Sequence, residues 1–276
     1  MPQPHPTRPP LAWLFSVLAW LLALIATPIV LWTIGDAPFS QLAVLGVLAQ
    51  SVASLLALST GWPRAKMLRT AGVVMVAAWV AEAIGQRTGF PFGDYHYTPA
   101  LQPQLDGVPL VIPLAWLMML IPAWAVTEAI LVERRARLGR AYPWVFAALA
   151  GAVFTAWDLY LDPQMVARGL WVWHQPGAYF GIPLINYFGW WLTAALITCL
   201  VGPADLPRFL LFVIYGLTWL FQAVGLGIFW GQPGPALAGF VGMGLFTVWA
   251  WMKEGKQWQS SFGAWWGFSA ARSRSR

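Results

Sequence analysis

Eight apolar runs divide the chain, at residues 11–34, 39–60, 68–86, 111–132, 143–161, 182–201, 206–230 and 235–251. Each is near the ~20 residues that a helix needs to cross a hydrocarbon core. No stretch alternates apolar and polar positions as a membrane-spanning strand does, and backbone groups in lipid must be paired internally. The pattern predicts an all-α polytopic membrane bundle of about eight transmembrane helices, with seven as the lower count. The first run has 24 residues, no charge and no small-x-small cleavage site, so it reads as a retained span rather than a signal peptide. Residues 1–10, with five prolines and Arg8, read as a disordered cytoplasmic tail. Residues 11–252 then form a single transmembrane domain with its catalytic core at about 70–200, and residues 253–276 a basic cytoplasmic tail.

Composition agrees: 59% of the residues are hydrophobic and 9% charged, where soluble domains carry roughly a quarter charged residues. The net charge of +6 raises nucleic acid as a partner, but the basic residues gather at helix ends. Fourteen of the sixteen fall in the two tails and the even-numbered connections, and only Arg87 and Arg168 fall on the other side. The positive-inside rule then puts both termini on the cytoplasmic face of the cell (inner) membrane and accounts for the charge without nucleic acid. Arginines of the C-terminal tail have membrane lipid as their natural contact. A lone Cys199 leaves no disulfide framework and no cysteine metal site.

Polar residues return in two stretches of one design. In residues 82–113 and 158–186 an acid ends an apolar helix, an aromatic loop follows, and Gly-x-Pro-Leu opens the next helix: Gly107-Val108-Pro109-Leu110 and Gly181-Ile182-Pro183-Leu184. The acid-to-glycine spacings are 25 and 23 residues. Counting 1.5 Å per residue from Leu68 puts Glu82 about 21 Å up its helix, inside the hydrocarbon, and Asp158 at a matching depth. Ionisable groups there are costly and face a bundle interior or a cavity, which makes both functional candidates; a structural hydrogen-bonded pair is the bland alternative. Asp158 and Asp162 lie one helix turn apart, where two carboxyls resist double ionisation and one is expected to keep a proton. Asp162 before Pro163 also reads as the cap of a short loop helix.

Asp94 and Asp106 sit in turn contexts, Asp106 with the stronger structural reading. His96 and His174 occupy comparable places in the two loops, flanked by Tyr95, Tyr97, Trp171 and Trp173, but their spacing from the carboxylates matches no metal motif. Interfacial aromatic belts account for some of those rings. Asn186, Trp190 and Thr193 share a helix face, as do Tyr215, Thr218 and Gln222, either as helix glue or as cavity lining. Glu128 reads as an ion-pair partner of the arginines that follow it.

Glu82, Gly93-Asp94-Tyr95-x-Tyr97, Gly107 to Leu110 with Pro113 and Trp116, Asp158-Leu159, Asp162-Pro163, Trp171-x-Trp173, Gly181-Ile182-Pro183, Asn186 and Gly189-Trp190 resemble the multi-pass carotenoid biosynthesis proteins of the carotenoid 1,2-hydratase type. The resemblance covers roughly residues 70–200. It implies a cofactor-independent hydro-lyase that adds water to the terminal double bond of an acyclic carotenoid end group, with a lycopene-like or monocyclic carotene as substrate and other carotenoid enzymes as possible neighbours. The residues suit that chemistry: a desolvated carboxylic acid protonates carbon 2, aromatic faces stabilise a tertiary cation at carbon 1, and a held water captures it. Asp158, Glu82, Asp162 and Asp94 are the candidate acids and bases, with Asp158 foremost as proton donor. Tyr95, Tyr97, His96, Trp171, Trp173, His174, Asn186 and Trp190 are the candidate substrate contacts. The rivals are a transporter or proton-coupled carrier for a lipophilic substrate, since buried acids and repeated helix pairs also mark transport paths, and a scaffold for other enzymes.

Overall fold

The computed structural model describes residues 9–265. The helices are α1 (Leu11–Ile34), α2 (Phe39–Ser59), α3 (Arg64–Thr88), α4 (Val111–Leu131), the four-residue α5 (Arg135–Leu138), α6 (Tyr142–Ala167), α7 (Leu184–Val201), α8 (Arg208–Val224) and α9 (Pro233–Trp265). Among the described residues, seven helical stretches are long and apolar enough to cross a membrane. One of them, Val111–Ala167, contains both α4 and α6, between which the chain turns through α5 and two 3-10 segments so that the two helices pack on each other. The eight apolar runs thus correspond to eight long helices among the described residues.

At the centre stands α4, packed by α2, α3, α6, α8 and α9 and buried over nearly its whole length. Apolarity all round a helix does not separate a lipid-facing position from a protein-facing one. What marks α4 as central is its contact with five neighbouring long helices, which Ala115, Ala123, Ala125 and Ala129 allow to come close. By contrast, α1 packs chiefly on α2 and keeps Phe15, Leu18, Leu22, Ile25 and Ile29 exposed on its other side.

The N-terminal tail except Pro9 and Pro10, and the C-terminal residues 266–276, lie outside the described residues. The last helix runs on to Trp265, past the end of its apolar run, for two reasons. Trp258 packs on Phe212 with ring centroids 4.3 Å apart, and Glu254 accepts a two-pronged ion pair from Arg208 on α8, at 2.7 Å and 2.9 Å. Glu128 joins the same cluster. It accepts the backbone N–H groups of Asp205 and Leu206 and faces Arg208 at 3.5 Å, so its partner is Arg208 rather than the arginines of residues 134–140.

The two aromatic loops are not wholly irregular. Tyr95–Tyr97 (β1) pairs antiparallel with the strand Trp171–Trp173, and Gln104–Leu105 (β2) forms a hairpin with Val108–Pro109 (β3). The hairpin turn is Asp106-Gly107, both at positive φ (55° and 78°), as a two-residue primed turn demands. Arg87 forms an ion pair with Asp106, which bears out the structural reading of that acid. The long-range strand is β4 in chain order; with β1 it ties the two loops together in the register Tyr95 to Trp173 and Tyr97 to Trp171.

Candidate functional site

The α3 helix delivers Glu82 to the centre of the bundle, where it is 2% exposed. Its Oε2 accepts the hydroxyls of Tyr95 and, at 2.9 Å, Tyr97, and its Oε1 accepts the Trp116 Nε1–H at 3.0 Å. Strand alternation explains the two tyrosines, since residues 95 and 97 point to one face of β1. Burial, reinforced by the neighbouring Glu82, pushes both phenols well above their ordinary range, so they act as neutral donors. An ionised carboxylate offers about four acceptor positions. Three are filled here.

On α6, Asp158 and Asp162 lie one turn apart, and Asn186 from the first turns of α7 serves both. Its Nδ2 donates to Asp158 Oδ2 at 2.9 Å and to Asp162 Oδ2. Asp162 gains a second donor, the Trp171 Nε1–H at 2.8 Å from Oδ1. Asp158 Oδ1 has no partner and is buried. The three carboxyls therefore differ in their supply of donors: three to Glu82, two to Asp162, one to Asp158.

Glu82, Asp162 and Asn186 line one small cavity of about 30 Å³, together with Tyr95, Tyr97, Trp171, Trp173 and Trp190. That volume suits one water molecule, and the wall supplies the polar partners a buried water requires. Aromatic rings surround it. Trp116 and Phe154 stack near Trp190 at centroid distances of 4.8 Å and 5.2 Å, and Trp157 meets Trp190 edge-on at 5.9 Å. The loop reaches α7 closely because Gly189 has no side chain. A Cβ there would lie 2.6 Å from the Pro91 carbonyl oxygen and 2.7 Å from Phe92, whose ring also fills the space over Gly85.

Eight of the twelve expected site residues thus meet around the cavity, from both loops at once. Asp158, expected as the foremost acid, stands behind Asp162 rather than on the wall: it is 0% exposed, and four residues of helical rise carry Asp162 to the water space instead. Asp94, His96 and His174 form a separate chain on the far face of the strands. His174 Nδ1 faces Asp94 Oδ1 at 2.8 Å and its Nε2 faces His96 Nδ1 at 2.9 Å, and all three side chains are exposed. The alternation that turns Tyr95 and Tyr97 inward turns His96 outward. Among the described residues no three His, Cys, Asp or Glu side chains are grouped to hold a metal ion. Trp116 entered only through the family resemblance, because an indole in an apolar run carries no sign of its hydrogen-bonding role. Trp157 gave no sign either.

A family model described as carotenoid biosynthesis protein matches residues 38–205. The chain is similar to a bisanhydrobacterioruberin hydratase of Haloarcula japonica, 32% identical over 133 residues, or 46% of this chain and 43% of that protein. The match thus spans less than half of the relative's length. No solved structure is significantly similar to the chain.

Proposed function

Because the chain belongs to the carotenoid biosynthesis protein family, we propose that it is a carotenoid hydratase, adding water across the 1,2 double bond of an acyclic carotenoid end group. The observation that carries this reading is the one-water cavity held between two carboxyls, Glu82 and Asp162, inside an aromatic shell. In the proposed cycle Asp162 gives its proton to carbon 2, and the π electrons of the double bond form the new C–H bond. The cation left on carbon 1 is tertiary, and neighbouring ring faces stabilise it by about 0.5 to 2 kcal/mol each. The held water attacks carbon 1 through oxygen and loses a proton to Glu82, whose fourth acceptor position is free. That proton returns to Asp162 through the next water to enter, so the net change is alkene plus water to tertiary alcohol and no electron leaves the system. Asp158 acts as a positioning residue: the Asn186 amide that donates to both carboxyls ties Asp162 to it, one turn behind the water space. The similarity to a hydratase supports the same class of reaction.

The test is pigment analysis in bacterial hosts that make lycopene, a monocyclic carotene or a longer acyclic carotenoid. Expression is expected to give, in at least one host, a more polar pigment heavier by one water. A carrier or scaffold would leave the pigments unchanged in all three, and that outcome would overturn the hydratase reading.

A further inference from the structure

A second and much larger cavity, of about 390 Å³, lies beside the water space among α1, α2, α4, α6 and α8. Ile112, Ala115, Leu161 and Trp171 line both cavities, so four side chains form the partition between acid and chamber. We infer that this chamber is the berth of the polyene: it holds the conjugated chain behind the reacting end group, which reaches past the partition to Asp162. The inference rests on the hydratase reading for the reaction, while the chamber itself specifies the kind of occupant.

Its walls are apolar almost throughout, and its volume lies in the range of sites that enclose a substantial organic ligand. Toward the aqueous end it is stoppered. Arg168 lies over the rings of Phe39 and Trp230, at 4.1 Å and 4.5 Å, and is pinned by Asp36 at 2.7 Å. Phe39 and Trp230 belong to the chamber wall, so this sandwich closes the route a water-soluble ligand would take. Toward lipid it is not stoppered. Ile25, Ile29 and Phe229 line the chamber and are also 46%, 55% and 57% exposed on the bundle's outer surface, between α1 and the π-turn Gly225–Phe229 that ends α8. An occupant that arrives from the hydrocarbon through an apolar gap is a lipophilic chain.

Gly46 offers a clean test, because it lines the chamber and a Cβ built there meets no atom within 4 Å. Gly72 on α3 has the same free space and does not line the chamber, which makes it the control. In a host that supplies a converted carotene, Gly46→Phe is expected to lower the hydrated fraction at least tenfold at normal membrane level, and Gly72→Phe to leave it unchanged. In the Asp162→Asn background, which cannot turn the polyene over, the purified protein is expected to carry polyene absorbance that falls at least fivefold when Gly46→Phe is added. Should Gly46→Phe fail to accumulate, Gly46→Leu is measured in the same way. Equal hydration and equal bound pigment with the chamber filled would overturn the berth, as would purified protein carrying phospholipid acyl chains and no polyene. A wild-type chain that hydrates nothing, yet loses bound polyene on Gly46→Phe, would keep the berth and sink the hydratase reading.

Discussion

Asp162 and Asp158 share one amide, and the difference between them is position: Asp162 meets the water space and Asp158 stands behind it. Removing the acid while keeping the shape separates their roles. Asp162→Asn is expected to lower hydration by about 10² to 10⁴-fold, the range a positioned general acid supplies. Asp158→Asn is expected to cost less in rate, because Asp158 does not line the water space and acts on Asp162 only through the shared amide. Pigment conversion in membranes checks both. Full loss with Asp158→Asn beside normal turnover with Asp162→Asn would return the donor's role to Asp158. At Glu82 the expectation differs, since three donors converge on it. Glu82→Gln presents an amide N–H₂ to hydroxyl and indole donors, so it is expected to lose hydration and also about 1 to 3 kcal/mol of stability, measured by thermal unfolding in detergent.

Two three-residue strands bring the halves of the site together, and their aromatic alternation, Tyr95-His96-Tyr97 and Trp171-Val172-Trp173, stood in the sequence. The matching loops showed one design in their acids, aromatics and spacing. Their pairing was not legible, because three residues are too short to signal a strand and the partner is far along the chain. The sidedness of His96 followed from the same unseen strand. Apolar runs marked the helices well, since a membrane span announces itself by length. Which span would be central was hidden: lipid and protein are equally apolar neighbours, so only packing distinguishes the buried α4 from the lipid-exposed α1. Gly189 carries the contact between loop and helix, and its role is testable at this scale. Gly189→Val would drive a side chain into the Pro91 carbonyl and Phe92. It is expected to cost about 1 to 3 kcal/mol as overpacking and to lower the midpoint of thermal unfolding in detergent, while Gly72→Val, with open space around it, changes little. Equal midpoints for the two variants would show that the loop does not rest on α7.

The whole bundle carries its charge unevenly, and the unevenness exceeds what counting basic residues gives. At the end with the aromatic loops the two basic residues are each met by an acid of that end, Arg87 by Asp106 and Arg168 by Asp36, with Asp94 left to His174. The opposite end carries Arg64, Lys66, Arg69 and the four arginines of residues 134–140. Orientation responds to basic residues near the ends of spans, so the second end is expected to stay in the cytoplasm and the loops to face the other way. Reporters fused within residues 134–140 and after Arg276 are expected to read cytoplasmic, and one inserted at residues 99–102 of the first loop to read the opposite side. The arrangement bears on chemistry as well as on topology. It would open the acid site toward the non-cytoplasmic face, so an impermeant label added to whole cells is expected to reach cysteines placed at His96 or His174 and not one placed at Arg137. Labelling of Arg137→Cys in intact cells, with His96→Cys protected, would reverse the bundle in the membrane and bring the water-side approach to the acids from the cytoplasm.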